Sequence, residues 1–514
     1  MEKAENPTPR KLTLKNKIGF SAYQISLITD LMITGWQMYF FTTFIGMPIM
    51  TVTMLLTIGK ILGAVVTPIY GYISDHLYQT RFGRKFGRRK GMLIIGAPIK
   101  IISFLLMWVP GLPTFVYFII FLIPQLVTPM LTTIQLTFMS EMTQDSKQRA
   151  QLVGSNQVGG AIAGIFFSLS SAYLFKILGE HAARTFIIMA VIYDIICMIC
   201  LIIFYNSVYE LPVDESTVLN KGKQSSIKVL RDIFWDFLSV ARLKSYGLYL
   251  GMYLCEQMFR SLRGTINTYF IIFVMLLNPS TVSLSTGAGF VCGLIFLAFF
   301  MWLTGKTNGP FSYRVGAYGT IIVEIYIMFL AFTRPSHLDI WFIVAIVALN
   351  FGITGVVNST QFIFTLIPDV DEMVTAKRRE GQYSGVNNTL DVIFTTVETL
   401  VIGIVLSATG FKEKASVQNP STVKWLLILY TVVPIVCCLL GIIISHFCKL
   451  TVPKHAIIVN EIKRLRNGGK MEDVTPETKK TVEELTGFKY ENCWGNNSMI
   501  DIASRHKKID SQQE

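Results

Sequence analysis

Charged side chains lie inside long apolar segments of this sequence, where an ionised group is costly unless the protein pairs or uses it. Asp30 lies near the middle of segment 18–45, and Lys60 lies near the middle of segment 49–74. Antiparallel neighbouring helices would hold the two residues at one depth, which predicts an Asp30–Lys60 ion pair. In such a pair Asp30 is the protonatable group, and Lys60 is a tethered cation that could replace a bound one. A packing pair that never titrates is the alternative interpretation.

A second group of charges lies in the sequence CEQMFRSLRG. Glu256 and Arg260 are four residues apart and share a helical face, so an internal salt bridge is one interpretation. If Arg260 or Arg263 remained free, it would instead favour an anionic ligand, because a guanidinium matches a carboxylate with two parallel hydrogen bonds.

A third group occupies segment 382–409, where Asn387, Asp391 and Glu398 follow a spacing of four and seven residues and Asn388 is adjacent. Their amide and carboxylate groups suit the hydroxyl groups of a sugar. Hydrogen bonds between helices are the equally supported alternative. Other polar residues within apolar segments are interpreted as contacts between helices: Lys100, Gln135, Asp194, Glu324, Asn350, Asn358 and Gln361.

The elements that carry these residues follow from composition. The chain has 514 residues, of which 52% are hydrophobic and 15% are charged, and its mean hydropathy is +0.50. Such a chain cannot hide its apolar surface in an ordinary soluble core. We predict an all-α membrane protein with twelve transmembrane helices in two six-helix bundles. The predicted spans are 18–45, 49–74, 91–111, 113–139, 152–178, 184–206, 245–276, 283–303, 315–332, 338–366, 382–409 and 423–448.

The orientation follows from the segment DHLYQTRFGRKFGRRK at 75–90, which has one acidic residue and six cations. Cationic loops between spans stay in the cytoplasm, so both termini are predicted to be cytoplasmic in a multi-pass protein of the cell membrane. The net charge of +13 is then a feature of topology, and no nucleic-acid partner is expected.

The chain is predicted to have four regions. These are an N-terminal bundle (1–206), a cytoplasmic linker with an amphipathic helix (207–244), a C-terminal bundle (245–448) and a cytoplasmic tail (449–514). The tail has the helical pattern HAIIVNEIKRLRN, followed by a polar segment that is predicted to fray. The loops SEMTQDSKQRAQ and PDVDEMVTAKRREGQ repeat an order of acids then bases. This indicates a six-helix duplication, which is typical of carriers whose bundles rock around a midplane site.

Three sequences, PIYGYISDHLYQTRFGRKFGRRK, SEMTQDSKQRAQ and LIPDVDEMVTAKRREGQYSG, resemble the loop signatures of the glycoside-pentoside-hexuronide:cation symporter family. This is the melibiose permease group of the major facilitator superfamily, and the resemblance covers residues 10–465. It implies secondary active transport of a sugar or glycoside with Na⁺, H⁺ or Li⁺, by alternating access.

The resemblance also assigns site positions. The family has two cation-binding Asp residues four apart before Pro-Ile-x-Gly, but the corresponding residues here are Gly63 and Thr67. Hard cations usually require a carboxylate, so H⁺ is favoured over Na⁺ as the coupling cation, and no other cofactor is expected. The sugar-binding acids and arginine of the family correspond to Ser26, Thr132 and Gln157. A substrate other than a galactoside is therefore expected.

A cytoplasmic gate is predicted from the same loops, in which the loop Arg81–Lys90 bonds Asp75, helix-end carbonyls, or acids such as Asp369 and Asp371. The residues assigned to it are Asp75, Arg81, Gly83, Arg84, Arg149, Asp369, Arg379 and Glu380. The predicted protein is a monomer in membrane lipids, with a sugar or glycoside substrate that could be anionic. A lysolipid carrier and a transport-inactive sensor are the alternatives. An enzyme is not predicted, because the sequence has no metal-ligand spacing, nucleophile–base pair or phosphate loop.

Overall fold

The computed structural model of this chain describes residues 12–77, 80–143, 146–210, 242–376 and 379–496, and these are almost entirely helical. In these ranges, ten helices are long and apolar enough to cross a bilayer. Large apolar side chains point outward from them: Ile295 and Ile322 are each 67% exposed. Such exposure suits contact with lipid and would be unfavourable in water. The predicted all-α membrane fold is confirmed.

Among the described residues up to 210, the chain forms eight α-helices. They are α1 (Leu14–Ser26), α2 (Ile28–Phe40), α3 (Ile49–His76), α4 (Arg81–Phe86), α5 (Arg88–Met107), α6 (Thr114–Met142), α7 (Ser146–Leu178) and α8 (Ala183–Ser207). A π-helical segment, Phe41–Ile45, continues α2. It ends at Gly46, whose φ of 80° lies in the left-handed region that glycine adopts without strain.

The second half continues with α9 (Lys244–Tyr269), α10 (Pro279–Lys306), α11 (Gly309–Thr333), α12 (Leu338–Thr375), α13 (Glu380–Ala408), α14 (Pro420–Leu427), α15 (Val433–Phe447), α16 (Val452–Arg466) and α17 (Pro476–Thr486). A π-helical segment, Phe270–Val274, continues α9, and another, Ile428–Val432, joins α14 to α15.

The two segments 14–45 and 244–274 have the length of membrane spans but a more polar composition than the ten apolar helices. Together with those ten they are consistent with twelve spans, and the count of twelve stays a prediction. Both segments also end in a π-helical turn followed by a residue with positive φ, Gly46 and Leu276 respectively. This shared feature supports the predicted duplication of the two halves.

The described contacts divide the chain into two units. Unit 1 comprises residues 1–222, 264–291 and 396–426, and unit 2 comprises the remaining residues. The predicted region boundaries stay a prediction, and the predicted amphipathic helix of the linker falls on residues 211–241, outside the described ranges.

Close helix contacts in unit 1 depend on small residues. Gly403 packs against Thr53, since a Cβ added at Gly403 would lie 1.9 Å from the threonine Oγ1. Gly164 similarly lies against the ring of Phe290. Tyr269 and Thr42 share a hydrogen bond of 2.7 Å between their hydroxyls. Segments 264–291 and 396–426 therefore pack directly on the N-terminal helices within this unit.

The N-terminus of α5 is capped by Glu210, which lies three residues after the end of α8. Glu210 accepts backbone hydrogen bonds from Arg88 (3.0 Å), Arg89 (3.1 Å) and Lys90 (2.7 Å). Gly87 has a φ of 88°, and a Cβ there would lie 2.6 Å from Glu210 Oε1. The carboxylate therefore satisfies three N–H groups that no helix turn can satisfy, and it favours the positive end of the helix dipole.

The tail packs on unit 2, with α16 and α17 contacting α12. Val482, Leu485 and Tyr490 join a buried apolar cluster with Tyr246 and Met373. The prediction of a helix over HAIIVNEIKRLRN is confirmed by α16, whereas the prediction that the following segment frays is wrong as far as residue 496. Its apolar residues are too few for a core of their own, but they complete the core of unit 2.

Candidate functional site

A largely buried ion pair joins α5 and α2 within unit 1. The Lys100 Nζ on α5 is 2.5 Å from Asp30 Oδ2 on α2, with side-chain exposures of 2% and 26%. Thr128 on α6 donates a 2.9 Å hydrogen bond to Asp30 Oδ1. Residues of α2, α5 and α6 thus meet at the Asp30 carboxylate. These polar partners offset the cost of placing a charge inside a membrane span.

The prediction that Asp30 pairs with Lys60 is wrong, because the partner of Asp30 is Lys100. Lys60 donates a 2.8 Å hydrogen bond to Thr399 on α13, whereas Lys100 occupies the position beside Asp30. The prediction relied on depth alone, and depth does not determine the face of a helix that a side chain occupies. Lys100 had been interpreted as a contact between helices.

Further titratable groups surround this pair. Tyr23 on α1 donates a 3.3 Å hydrogen bond to Thr132 on α6, and both its hydroxyl and Cys197 lie within electrostatic reach of Lys100 and Asp30. Asp194 on α8 is 6% exposed. Among the described residues, neither of its carboxylate oxygens has a hydrogen-bond partner.

The positions assigned by resemblance in unit 1 have varied surroundings. Ser26 is buried and its hydroxyl donates to Tyr23 O at 2.6 Å. Thr67 donates to Gly63 O at 2.6 Å, and a Cβ at Gly63 would lie 3.0 Å from Gln125 O. Close packing of α3 on α6 therefore occupies the space that an acidic side chain would need at position 63. Gln157 is exposed on α7.

A polar cluster lies along α9 in unit 2. Arg260 Nε is 3.3 Å from Glu256 Oε1, and the arginine side chain is 50% exposed while the glutamate is 3% exposed. Arg260 also donates a 3.1 Å hydrogen bond to Gln257 Oε1, and the amide of Gln257 donates to Asp391 on α13. Thr360 on α12 donates to Glu256 at 3.0 Å. The predicted Glu256–Arg260 salt bridge is present, and its guanidinium remains partly accessible.

Arg263 has a different environment one turn along α9. Its Nε is 3.3 Å from Glu324 Oε1 on α11, with exposures of 9% and 0%. Its Nη2 donates a 2.6 Å hydrogen bond to the hydroxyl of Tyr430, and its guanidinium carbon lies 4.5 Å from that ring centre. Tyr430 lies in the π-helical segment Ile428–Val432. Arg263 is therefore paired with Glu324 and Tyr430 within unit 2. It is not the free arginine that would favour an anionic ligand.

The amides of α13 also differ from each other. Asn387 is buried, donates to the Tyr249 hydroxyl at 2.7 Å and accepts from the Tyr246 hydroxyl at 2.9 Å. These bonds support the interpretation of Asn387 as a contact between helices. Asn388 is exposed. An exposed amide within a membrane span favours a water-filled cavity over lipid, and the same holds for Gln157 in unit 1.

The described gate residues have partners within their own units. Arg379 Nε donates a 2.9 Å hydrogen bond to Asp371 Oδ2, and His455 Nε2 lies 2.8 Å from Asp369 Oδ2. Arg81 and Arg84 are exposed, and Gly83 donates its N–H to Thr80 Oγ1 at 3.0 Å. The side chains of Asp75, Arg149 and Glu380 lie outside the described part of the chain. The predicted cytoplasmic gate stays a prediction.

Sequence reasoning missed the site roles of several residues. For Lys100, Asp194 and Glu324 the sequence predicts contacts between helices, and it marks neither Thr128 nor Tyr430 as a site residue. The three ionisable residues carried a usable signal, because each is a charge in an apolar span. The two hydroxyls carried none, since threonine and tyrosine are common throughout the spans.

Comparisons with known proteins agree with this architecture. A family model described as MFS/sugar transport protein matches residues 19–452. The crystal structure of the nucleoside transporter NupG is similar at 13% identity and a TM-score of 0.54, over 85% of this chain and 98% of that chain. A bacterial metal transporter is similar at 15% identity and a TM-score of 0.50, over 85% and 99% of the two chains. A search of curated protein sequences gives no match.

Proposed function

The chain belongs to the MFS/sugar transport protein family, and from this premise we propose that it is a proton-coupled symporter for a sugar-like substrate that carries a carboxylate, such as a hexuronide. Alternating access around sites in both halves is part of the proposal. So are the relationship to the melibiose permease group, the cell-membrane location and the cytoplasmic termini. A transporter of this kind changes no covalent bond of its substrate.

The half-exposed guanidinium of Arg260 is the observation that carries the proposal for an anionic substrate. Its exposed fraction of 50% inside a helix of membrane length favours contact with water, because a charge facing lipid would be costly. Gln257 and Asp391, which follow it in the same hydrogen-bonded chain, can exchange hydrogen bonds with sugar hydroxyls. A substrate carboxylate can accept two parallel hydrogen bonds from the guanidinium.

The preference for protons rests on unit 1. Gly63 and Thr67 lack the carboxylates that a sodium site of the melibiose type would need. The Thr67 hydroxyl donates its hydrogen bond to the backbone carbonyl of Gly63. The packing of Gly63 against Gln125 leaves little space for a cation beside it. A proton needs only one carboxyl group in a span, and unit 1 has two carboxyl groups inside its spans, Asp30 beside Lys100 and the buried Asp194.

The test compares a glucuronide with the neutral glucoside of the same aglycone in proteoliposomes, with imposed proton or sodium gradients. Arg260→Gln is expected to weaken glucuronide uptake by about 10- to 100-fold, as expected for loss of a charged hydrogen-bonded contact of about 1.5–3 kcal/mol. Glucoside uptake should change little. The matched control is Arg314→Gln, because Arg314 bonds Ser445 O on another face of unit 2.

Equal losses for the two substrates would contradict a carboxylate contact at Arg260. Accumulation driven by sodium and not by protons would contradict the coupling ion. Failure to take up either glycoside would favour the second candidate below.

A lysolipid carrier is a second candidate, favoured by one specific feature. Unit 1 has an apolar groove of about 530 Å³ between α1, α7 and α8, lined by Ile18, Ile25, Val158 and Ile203 with Lys17 beside them. Such a groove suits an acyl chain with an anionic head group near the lysine. Uptake of a labelled lysolipid would support this candidate, and its absence would contradict it.

A further inference from the structure

Asp194 is a buried acid that the proposed transport cycle has not yet used. It lies on α8 with an exposed fraction of 6%, and within the described ranges neither carboxylate oxygen accepts a hydrogen bond. An ionised carboxylate left without hydrogen bonds in a low-dielectric interior costs several kcal/mol. The position therefore requires a cation or a proton.

The groups around Asp194 come from each helix that packs on α8, namely α1, α2, α5 and α7. Lys100 on α5 is the charged group whose field reaches Asp194. The other titratable neighbours within reach of Lys100 are Asp30 on α2, Cys197 on α8 and Tyr23 on α1. The described α7 groups nearest this face are the hydroxyls of Ser170 and Ser171, which bond Tyr193.

The Lys100 ammonium thus contacts the carboxylate of Asp30, and its field also reaches the carboxylate of Asp194. The Lys100 Nζ lies 2.5 Å from Asp30, which leaves Asp194 without that contact. With both acids ionised the cluster would carry a net charge of −1, whereas one proton on Asp194 makes it neutral. One cation balances only one of the two carboxylate charges, and burial disfavours the charged form of the carboxylate that is left without it.

We propose that Asp194 is a proton-binding site, and that Lys100 moves from Asp30 to Asp194 when this proton leaves. The lysine side chain can make this exchange because its ammonium carries three donors on a flexible stem. The released proton passes to water, and the Asp30 carboxylate then keeps its hydrogen bond from Thr128. This inference rests on the proposed proton-coupled transport and assigns its proton to one residue.

Infrared spectroscopy of the full-length protein in liposomes tests the proton directly. A protonated carboxyl has a C=O stretch that a carboxylate lacks. In the difference spectrum between neutral and alkaline pH, which cancels the lipid ester carbonyls, the band of this carboxyl is expected in the wild type and missing in Asp194→Asn, while Asp194→Glu should shift the band without removing it. The control Asp339→Asn, an exposed acid of α12, should leave it unchanged.

Difference spectra that are identical in the wild type and in Asp194→Asn would overturn the proposal. So would loss of the wild-type band on adding sodium at constant pH, since this would indicate a sodium site. Asp30→Asn provides a second variant: it frees Lys100 for Asp194, so the band should weaken. An undiminished band in this variant would refute the exchange of Lys100.

Transport distinguishes this inference from the proposed function. In Asp194→Asn, exchange of labelled for unlabelled substrate should persist while accumulation driven by a proton gradient is lost. If the wild type shows the Asp194 band but no proton-driven uptake, the proton site stands and the proposed function fails. If proton-driven uptake survives in Asp194→Asn, the coupling role of Asp194 fails and the transport function stands.

Discussion

Arg263 and Glu324 form the most deeply buried ion pair in the described part of unit 2, with exposures of 9% and 0%. Such pairs are costly to assemble, yet removing one partner is worse, because it leaves an uncompensated charge. The hydrogen bond from Arg263 to Tyr430 further connects α9 to the π-helical segment. These contacts favour a structural role for Arg263, although the sequence predicted that it binds substrate.

Arg263→Met is therefore expected to destabilise the protein by about 3–5 kcal/mol, the usual cost of breaking a buried pair. The double variant Arg263→Met/Glu324→Met should regain most of this loss, because neither charge remains buried alone. Thermal unfolding in detergent measures both effects. If the double variant regains stability but no longer binds substrate, Arg263 has the binding role after all.

Much of this residue-scale chemistry could be predicted from the sequence. Asp30, Arg260 and Arg263 stood out because a charge in an apolar span is rare. Their partners could not be predicted, since sequence spacing gives depth along a helix but not the neighbour that each face meets. The pairing of Asp30 with Lys100 depends on how α2, α5 and α6 rotate about their axes.

At the scale of elements, the apolar patterns predicted the spans closely, but helix ends differ where polar groups find partners. The span predicted for 338–366 extends as α12 to Thr375, past Pro368 and three acids. The acids Asp371 and Glu372 are paired with Arg379 and Arg466 respectively. A single sequence does not reveal that these distant cations make a polar helix end stable.

The Glu210 cap of α5 gives a prediction at this scale. Glu210→Ala is expected to destabilise unit 1 by about 0.5–2 kcal/mol, because three N–H groups lose their acceptor. Gly87→Ala should have a similar effect, since its Cβ would displace the carboxylate. Thermal unfolding is the measurement. Glu180→Gln is the control, because Glu180 accepts a hydrogen bond from Ser280 and caps no helix in this way; an equal loss in this control would contradict the capping role.

On the scale of the whole molecule, ion pairs and hydrogen bonds within the tail join α17 and the residues after it to α16 and the residues before it. Glu484 on α17 lies 2.8 Å from Lys449 Nζ and also contacts Lys454. Hydrogen bonds from these two lysines lower the pKa of Glu484 from 4.5 to about 2. Burial alone would raise the pKa of Glu461, but hydrogen bonds from Arg464 and Tyr490 outweigh it and lower that pKa.

A carboxyl whose pKa is lowered by folding stabilises the folded state above its unfolded pKa. The contribution of Glu484 should therefore be complete above pH 4.5 and lost as the pH falls towards 2. Glu484→Gln should mimic this loss at pH 7, with faster hydrogen exchange in α17. Glu472→Gln, an exposed acid of the tail, is the control. Unchanged exchange in Glu484→Gln would show that the apolar contacts suffice.

The docked tail has a practical consequence for handling this protein. Trp494 and Gly495 donate backbone hydrogen bonds to Met373 O and Val374 O at 2.9 Å each. The tail therefore covers the C-terminal end of α12. Truncation after Leu450 would expose the apolar surface around Met373 and Tyr246 that the tail covers, and it would promote aggregation during purification. A fluorescent fusion or an affinity tag attached beyond residue 496 would leave that surface covered.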